Sequence, residues 1–262
     1  MSVRLLKKAL TLSAFFLSAI CHLAVADVDC RAAATTELVQ LARVIDGDTV
    51  ELADGRRVRL IGIDTPEIGY RGAPSEPFAE LARDRLRELL APGGVRLQAG
   101  VEAEDRYGRA LAHLFAVDGS NVEARLLADG LGMALVMPPN LALWRCQQAA
   151  EESARRLGLG LWSTDPVVPV QQLDSGGFAL VRGRLNRIER AGEQLWLELD
   201  GPLVLRLRDT DRGYFTGQQP EAWRGREIEV RGWVIERAVR RSGHKPLMLP
   251  LRHPGMLRLL EP

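Results

Sequence analysis

The stretch that most limits how this chain can fold runs from Val44 to Glu67, VIDGDTVELADGRRVRLIGIDTPE. Two runs of alternating apolar residues flank the turn Ala53-Asp54-Gly55, and that period and turn chemistry predict a β-hairpin. Asp48 sits at the start of the first strand, Arg59 in the second, and Asp64, Thr65 and Glu67 just past the second strand's end. The hairpin therefore delivers three acids and one guanidinium to one end of a small sheet.

Taken singly, Asp46, Asp48 and Asp54 read as solvated turn residues. The reading changes when Asp-Gly-Asp-Thr and Arg-x4-Asp-Thr-Pro-Glu occur together, because hard oxygen ligands suit Ca²⁺ and a guanidinium suits a phosphate. Downstream, Asp105-Arg106-Tyr107-Gly108-Arg109 adds a second arginine. These blocks, in this order, resemble the staphylococcal (thermo)nuclease family over Leu41 to Trp162.

The resemblance implies a mainly β (α+β) domain, a five-stranded OB-fold barrel with three helices. It also implies a thermonuclease-like endonuclease or exonuclease, a phosphodiester hydrolase that takes DNA and RNA as substrates, uses one Ca²⁺ and leaves 3′-phosphate ends. On that pattern Asp48 and Asp64 are carboxylate ligands of the ion, with the Thr65 main-chain carbonyl as a third. Glu67 activates the attacking water, and Arg59 and Arg109 clamp the phosphoryl oxygens. Arg106, in place of the family's usual lysine, and Tyr107, matching a tyrosine that touches a terminal phosphate, are candidates for substrate binding. The sequence departs from the family at Leu135 to Pro138, where Val136 and Pro138 are read at the positions of tyrosines lining the nucleotide pocket, so weaker base stacking is expected there. The Ile68 to Pro77 loop also differs.

The first 26 residues stand apart: Arg4, Lys7 and Lys8 precede the apolar run Ala9 to Ile20, and Ala24-Val25-Ala26 offers small residues for cleavage. They read as a signal peptide cut before Asp27, the apolar run being short for a membrane anchor, which implies a periplasmic or extracellular protein with no membrane attachment once processed. Losing those three cations leaves thirty-two Lys plus Arg against thirty-four Asp plus Glu, a net charge of −2. A global basic field for nucleic acid is thereby excluded, and binding must rest on local patches. Export also favours pairing of the two remaining cysteines, Cys30 and Cys146, as a disulfide, with two free thiols the alternative.

Along the chain, strands are expected at Leu38 to Ile45, Thr49 to Leu52, Val58 to Ile63, Val95 to Val101 and Ala110 to Phe115. Helical spacing runs from Phe78 to Leu90, with Ser75 as a plausible N-cap, and again over Asn121 to Leu131 and Leu143 to Leu157. Trp162 reads as a core plug ending a nuclease domain over 27–163. Residues 164–177, with Pro166, Pro169 and Ser-Gly-Gly, have linker composition. Beyond it, over 178–262, five strand-like runs suggest a second, smaller OB-like barrel, with Asp209 to Arg226 at the place of an inter-strand helix or loop. Trp196, Tyr214, Phe215, Trp223 and Trp233 interleave there with Arg182, Arg184, Arg206, Arg208 and Arg231, the raw material of a single-strand groove. His244 and His253 read as structural or surface residues, not as ligands. No protein partner is implied. The second reading of the whole chain is a non-catalytic nucleic-acid-binding protein of two OB folds.

Overall fold

The computed structural model describes residues 30–32, 35–91, 93–238 and 244–260; the expected signal peptide lies outside them. Strands β1 (Glu37–Val39) and β2 (Leu41–Val44) are one extended stretch broken at Gln40, followed by β3 (Thr49–Leu52), β4 (Arg57–Leu60) and the two-residue β5 (Ile63–Asp64). Then come α1 (Ala79–Leu90), β6 (Val95–Glu104), β7 (Ala110–Phe115), α2 (Val122–Ala128), β8 (Met133–Ala134) and α3 (Trp144–Leu157). The first sheet has the order β1-β6-β7-β4-β3-β2. Its two edges are the consecutive pieces β1 and β2, so the expected first strand joins both sides of the sheet and bends it round.

The expected strand Val58 to Ile63 divides into β4 and β5 because Gly62 adopts a φ of 89°, and a Cβ there would lie 1.9 Å from the Gln147 side chain. Ser75 does not cap α1. Its hydroxyl accepts from the Gly69 N–H at 3.1 Å inside the loop, and Phe78 occupies the cap position with a left-handed φ of 69°. Asn121 does cap α2, accepting from the Ala124 N–H at 2.9 Å. Behind the barrel, buried Glu123 accepts from the Asn121 amide and the Leu114 N–H and meets His113, while Gln147 donates to the Ile61 carbonyl, so α2 and α3 are fixed by satisfied polar groups as well as by Leu126 and Leu127.

The second domain repeats the same plan. Strands β9 (Val167–Pro169), β10 (Gly177–Ala191), β11 (Gln194–Leu199), β12 (Leu203–Arg208), β13 (Glu227–Glu236), β14 (Leu247–Pro250) and β15 (Leu257–Leu259) form one sheet, and an added β13–β10 pairing closes five of them into a barrel. Going round, β10-β11-β12-β14-β13 matches the first domain's order, with one parallel pair, β12–β14, where the first has β4–β7. A register shift between Leu185 and Arg187 lets the long β10 serve β13 with its first half and β11 with its second. Short 3₁₀ turns at Asp209–Phe215 and Pro220–Trp223 occupy the inter-strand interval.

Residues 164–177 are not a free linker. β9 lies parallel to β10, and Val170 is fully buried in the second core, so burial and strand pairing override a composition rich in Pro and Gly. The domains are also pressed together along α3. Val136 is 1% exposed and belongs to the second domain's core, while Trp162 joins Ala154, Val167 and Leu180 in a cluster that crosses the boundary. Four ion pairs frame it, Arg155–Glu229 (2.7 Å), Arg231–Glu151 (2.6 Å), Arg258–Glu229 (2.7 Å) and Arg258–Glu152 (3.3 Å). No helix among the described residues is long and apolar enough to cross a membrane.

Cys30 and Cys146 are bonded, tying the start of the described chain to α3 across 116 residues. Closing a loop of that size stabilises a fold by ~4–5 kcal/mol in the chain-entropy view. Non-reducing mass analysis is expected to find neither thiol free, and reduction to lower the thermal midpoint; two free thiols in protein made in an oxidising compartment would contradict this.

Candidate active site

The site is built where the hairpin's two strands end. Gly47 allows the Asp46-Gly47-Asp48 turn to lie against α1 and the β5 exit, since a Cβ there would stand 2.6 Å from Thr65 Oγ1 and 2.7 Å from Ala82 Cβ. The turn is held by Asp46 Oδ1, which accepts from the Asp48 N–H at 3.0 Å. Asp48, 5% exposed, accepts through Oδ2 from the Thr65 N–H (2.9 Å) and hydroxyl (3.1 Å), and through Oδ1 from the Thr49 hydroxyl (3.1 Å). Thr65 is therefore clasped to the opposite strand through Asp48.

Arg59 lies between the acids, 8% exposed. Its Nη1 donates to the Leu60 and Ile63 carbonyls at 3.0 and 2.8 Å, fixing the kink between β4 and β5. Its Nη2 stands 2.8 Å from Asp64 Oδ1 and 3.1 Å from Asp48 Oδ2. Two carboxylate oxygens thus converge on one positive centre. Burial pushes the Asp64 carboxyl up to about 7, against the pull of Arg59 and helped by the neighbouring Asp48 and Glu67 charges. Burial and Asp48 likewise push Asp46 to about 6.

Glu67 is tied by its backbone: its N–H donates to Glu76 Oε2 at 2.9 Å and its carbonyl accepts from the Glu76 N–H at 3.0 Å, closing the loop that departs from the family. Its own carboxyl is raised, first by burial and then by Asp48, with Arg59 and Arg109 pulling the other way. Arg109 is held from the β6–β7 turn by Asp105, which accepts from its N–H (3.0 Å), its Nε (2.8 Å) and the Tyr107 N–H (2.9 Å). Burial works to raise Asp105, but these bonds leave it below its ordinary value. The exposed Tyr107 ring carries the Arg106 guanidinium at 4.8 Å and that of Arg109 at 5.6 Å, and Arg106 Nη2 donates to its hydroxyl at 2.6 Å, so the turn presents a single basic knob.

The structure brings Asp48, Arg59, Asp64, Thr65 and Glu67 into one mouth, within the electrostatic reach of Arg109. Among the described residues no three His, Cys, Asp or Glu side chains form a closed cage. The donors that fit a cation here are two carboxylates and a main-chain carbonyl, all oxygen, and one oxygen of each of Asp48 and Asp64 meets the Arg59 charge. The reading of single residues missed Asp46, which is half-buried rather than solvated, and the supporting roles of Glu76 and Asp105. An acid four residues before Arg109 was the available sign of the last.

Val136 and Pro138 do not line an open pocket: both are buried, Val136 in the core of the second domain. The partly exposed side chains of that stretch are Leu135 and Met137, neither aromatic. The expected aromatic and basic groove also resolves unequally. Phe215 and Trp223 are core, Tyr214 packs on His253, itself 5% exposed beside Trp144, and Arg231 and Arg182 face Glu151 and Glu229. Trp196 carries Arg237 at 5.1 Å and pairs across strands with Arg206. Trp233, 42% exposed, comes instead to a cleft shared with Asp64 and Glu67.

Residues 57–164 match the family described as Staphylococcal nuclease homologue. The chain is 37% identical over 123 residues to the thermonuclease of Staphylococcus intermedius, covering 46% of this chain and 73% of that protein. It is 32% identical over 133 residues to the thermonuclease of Staphylococcus hyicus, covering 50% and 78%. Over 130 residues it is 35% identical to the endonuclease YncB of Bacillus subtilis, covering 48% and 61%. With a site of this composition in the matched segment, and relatives this similar along most of their length, the chain belongs to the staphylococcal nuclease family.

Proposed function

We propose that the protein is an exported, Ca²⁺-dependent nuclease that hydrolyses phosphodiester bonds of DNA and RNA and leaves 3′-phosphate ends. The observation that carries this reading is the convergence of Asp48 and Asp64 on the Arg59 charge, with Glu67 and Arg109 at the same mouth. The named thermonucleases and endonuclease among the relatives support the chemistry. The disulfide supports an oxidising compartment outside the cytoplasm.

Asp48, Asp64 and the Thr65 carbonyl would hold the ion, which when bound supplies Lewis-acid polarisation and charge for the phosphate. Glu67, its carboxyl raised by burial toward the working range of a general base, accepts the proton of a water aligned with the phosphorus. That water forms the new P–O bond as the bond to the 5′-oxygen breaks, and the 5′-oxygen leaves as a hydroxyl with a proton drawn from solvent while the phosphate stays on the 3′ side. Arg109, aimed by Asp105, meets the phosphoryl oxygens where negative charge grows. Arg59 has committed both terminal nitrogens to protein oxygens, so it acts on the phosphate by charge at the floor of the site. A zymogram separates this reading from a binding protein of two OB folds: clearing of DNA with Ca²⁺ and none with chelator is the expected result, and a gel shift without degradation is the other's.

Glu67→Ala and Arg109→Ala are each expected to lower kcat by ~10²-fold or more while leaving the thermal midpoint nearly unchanged, because base and electrostatic contributions are of that order and both side chains are partly exposed. Two folded variants with near wild-type rates would remove both roles. Asp48→Asn should raise the Ca²⁺ concentration needed for half-maximal rate; an unchanged titration would take Asp48 out of the ligand set.

Proton competition sets a pH dependence. The ion requires ionised carboxylates, and Asp64 holds its proton up to about pH 7 in the fold, so Ca²⁺ affinity should rise with pH up to that point and level off above it. For the ion-free protein the sign is opposite: a carboxyl raised in the fold favours stability below its ordinary value near 4 and loses that contribution as pH climbs through about 7. Ca²⁺ is therefore expected to raise the thermal midpoint more at pH 8 than at pH 5.5, and an equal rise at both would contradict the assignment.

A further inference from the structure

We propose that Trp233 and Phe178, both from the second domain, form a stacking platform for a nucleobase of a single-stranded substrate beside the scissile phosphate. This rests on the nuclease reading above. Between the domains lies a cleft of about 340 Å³, within the size range of small-ligand sites, lined by Asp64 and Glu67 together with Met133, Leu161, Phe178 and Trp233. The acids belong to the site already described, and the two rings lie beyond the family-matched segment of residues 57–164.

Trp233 is held in place yet left open. It pairs across strands with Phe178, edge to face, with ring centroids 5.2 Å apart and planes at 69°. Two residues before it on β13, and so on the same face of the strand, Arg231 donates to the Ala134 carbonyl at 3.1 Å and meets Glu151 at 2.6 Å. Ala134 and Met133 pair with Ile63 and Asp64 in the β5–β8 ladder. The indole's strand is thus tied to the strand of the aspartate through one side-chain bond and a short backbone ladder. Even so it is 42% exposed, whereas Phe215 and Trp223 of the same domain are 3% and 6% exposed.

A ring held by a perpendicular neighbour, 42% exposed and lining a cleft shared with Asp64 and Glu67, fits the flat part of the substrate. Any base offers a π-face, which makes such a platform tolerant of sequence, and only an unpaired strand has base faces free to offer it. The neighbouring stretch with Leu135 and Met137 supplies no aromatic ring, so this pair is the stacking surface that the cleft contains.

The test uses the full chain with Trp233→Ala and Trp233→Phe, and two single strands of equal length and phosphate number, oligothymidylate and a wholly abasic tetrahydrofuran strand. Trp233→Ala should raise KM for oligothymidylate by about tenfold, the order expected for one stacked base, with kcat within about twofold and the abasic KM unchanged. Trp233→Phe should recover most of the loss. An unchanged KM on oligothymidylate, or an equal loss on both strands, would overturn the platform. Anisotropy titrations of both labelled strands in chelator give a readout free of turnover, in which Trp233→Ala should weaken only the thymidine strand; equal binding by wild type and variant overturns the proposal. Should the wild type cleave neither strand, the nuclease reading fails, and these titrations alone decide the platform.

Discussion

A buried guanidinium is the constraint on which the site depends. Arg59 at 8% exposure would be costly without partners, and its two terminal nitrogens are satisfied by the Leu60 and Ile63 carbonyls and by Asp48 and Asp64. The carboxylates need it as much, since without it two like charges would face each other where burial already lifts Asp64 to about 7. Removing one member of such a set typically costs ~3–5 kcal/mol, because a charge is left without its complement. The same bonds to Leu60 and Ile63 hold the kink that Gly62 permits, so the geometry that aims Asp64 and Thr65 and the charge that opposes the effect of burial on Asp64 share one anchor.

From that anchor the order extends across the domain boundary. β5 carries Asp64 and pairs with β8; the Ala134 carbonyl of β8 accepts from Arg231, and its N–H donates to Glu151 at 2.7 Å, the same carboxylate that Arg231 meets. Glu151 is 4% exposed and would be left with an unmatched charge if the second domain were absent. Together with Val136 in the second core and the Trp162 cluster, this makes the second barrel a docked part of the molecule rather than a module on a tether. A chain ended after Thr164 would expose these surfaces, so such a piece is not a neutral measure of what the second domain does.

Local chemistry made the hairpin, the acids and the two barrels legible. Alternation over Thr49 to Leu52 and the Ala53-Asp54-Gly55 turn carry their own geometry, and the strand runs after residue 177 fall where β10 to β14 form. What could not be read depends on tertiary partners. Residues 164–177 look like a linker because Pro166, Pro169 and Ser-Gly-Gly interrupt any helical or strand period, yet Val170 and the β9 pairing bury part of them. Ser75 has the chemistry of a helix cap, but Gly69 claims its hydroxyl. Val136 faces inward because the neighbouring domain covers it, which the segment cannot announce. The same holds for Trp233: that Phe215 and Trp223 go to the core and Trp233 to the cleft becomes visible only once β13 is seen to dock through Arg231.

That division bears on how a chain with a net charge of −2 after loss of the expected leader can hold a polyanion. Much of the arginine that the sequence offers near the interface is spent inside the protein, Arg155 and Arg258 on Glu229 and Arg231 on Glu151. On the proposed reading, the site offers phosphates near the cut the Arg106–Tyr107–Arg109 knob and the floor charge of Arg59, a short list for an electrostatic grip. A short list of ionic contacts gives a shallow dependence of affinity on salt, since each neutralised phosphate contributes its own share of counterion release. Contact with the flat faces of bases is insensitive to that term, so an aromatic pair beside the acids is the form of recognition that a weakly charged surface leaves open.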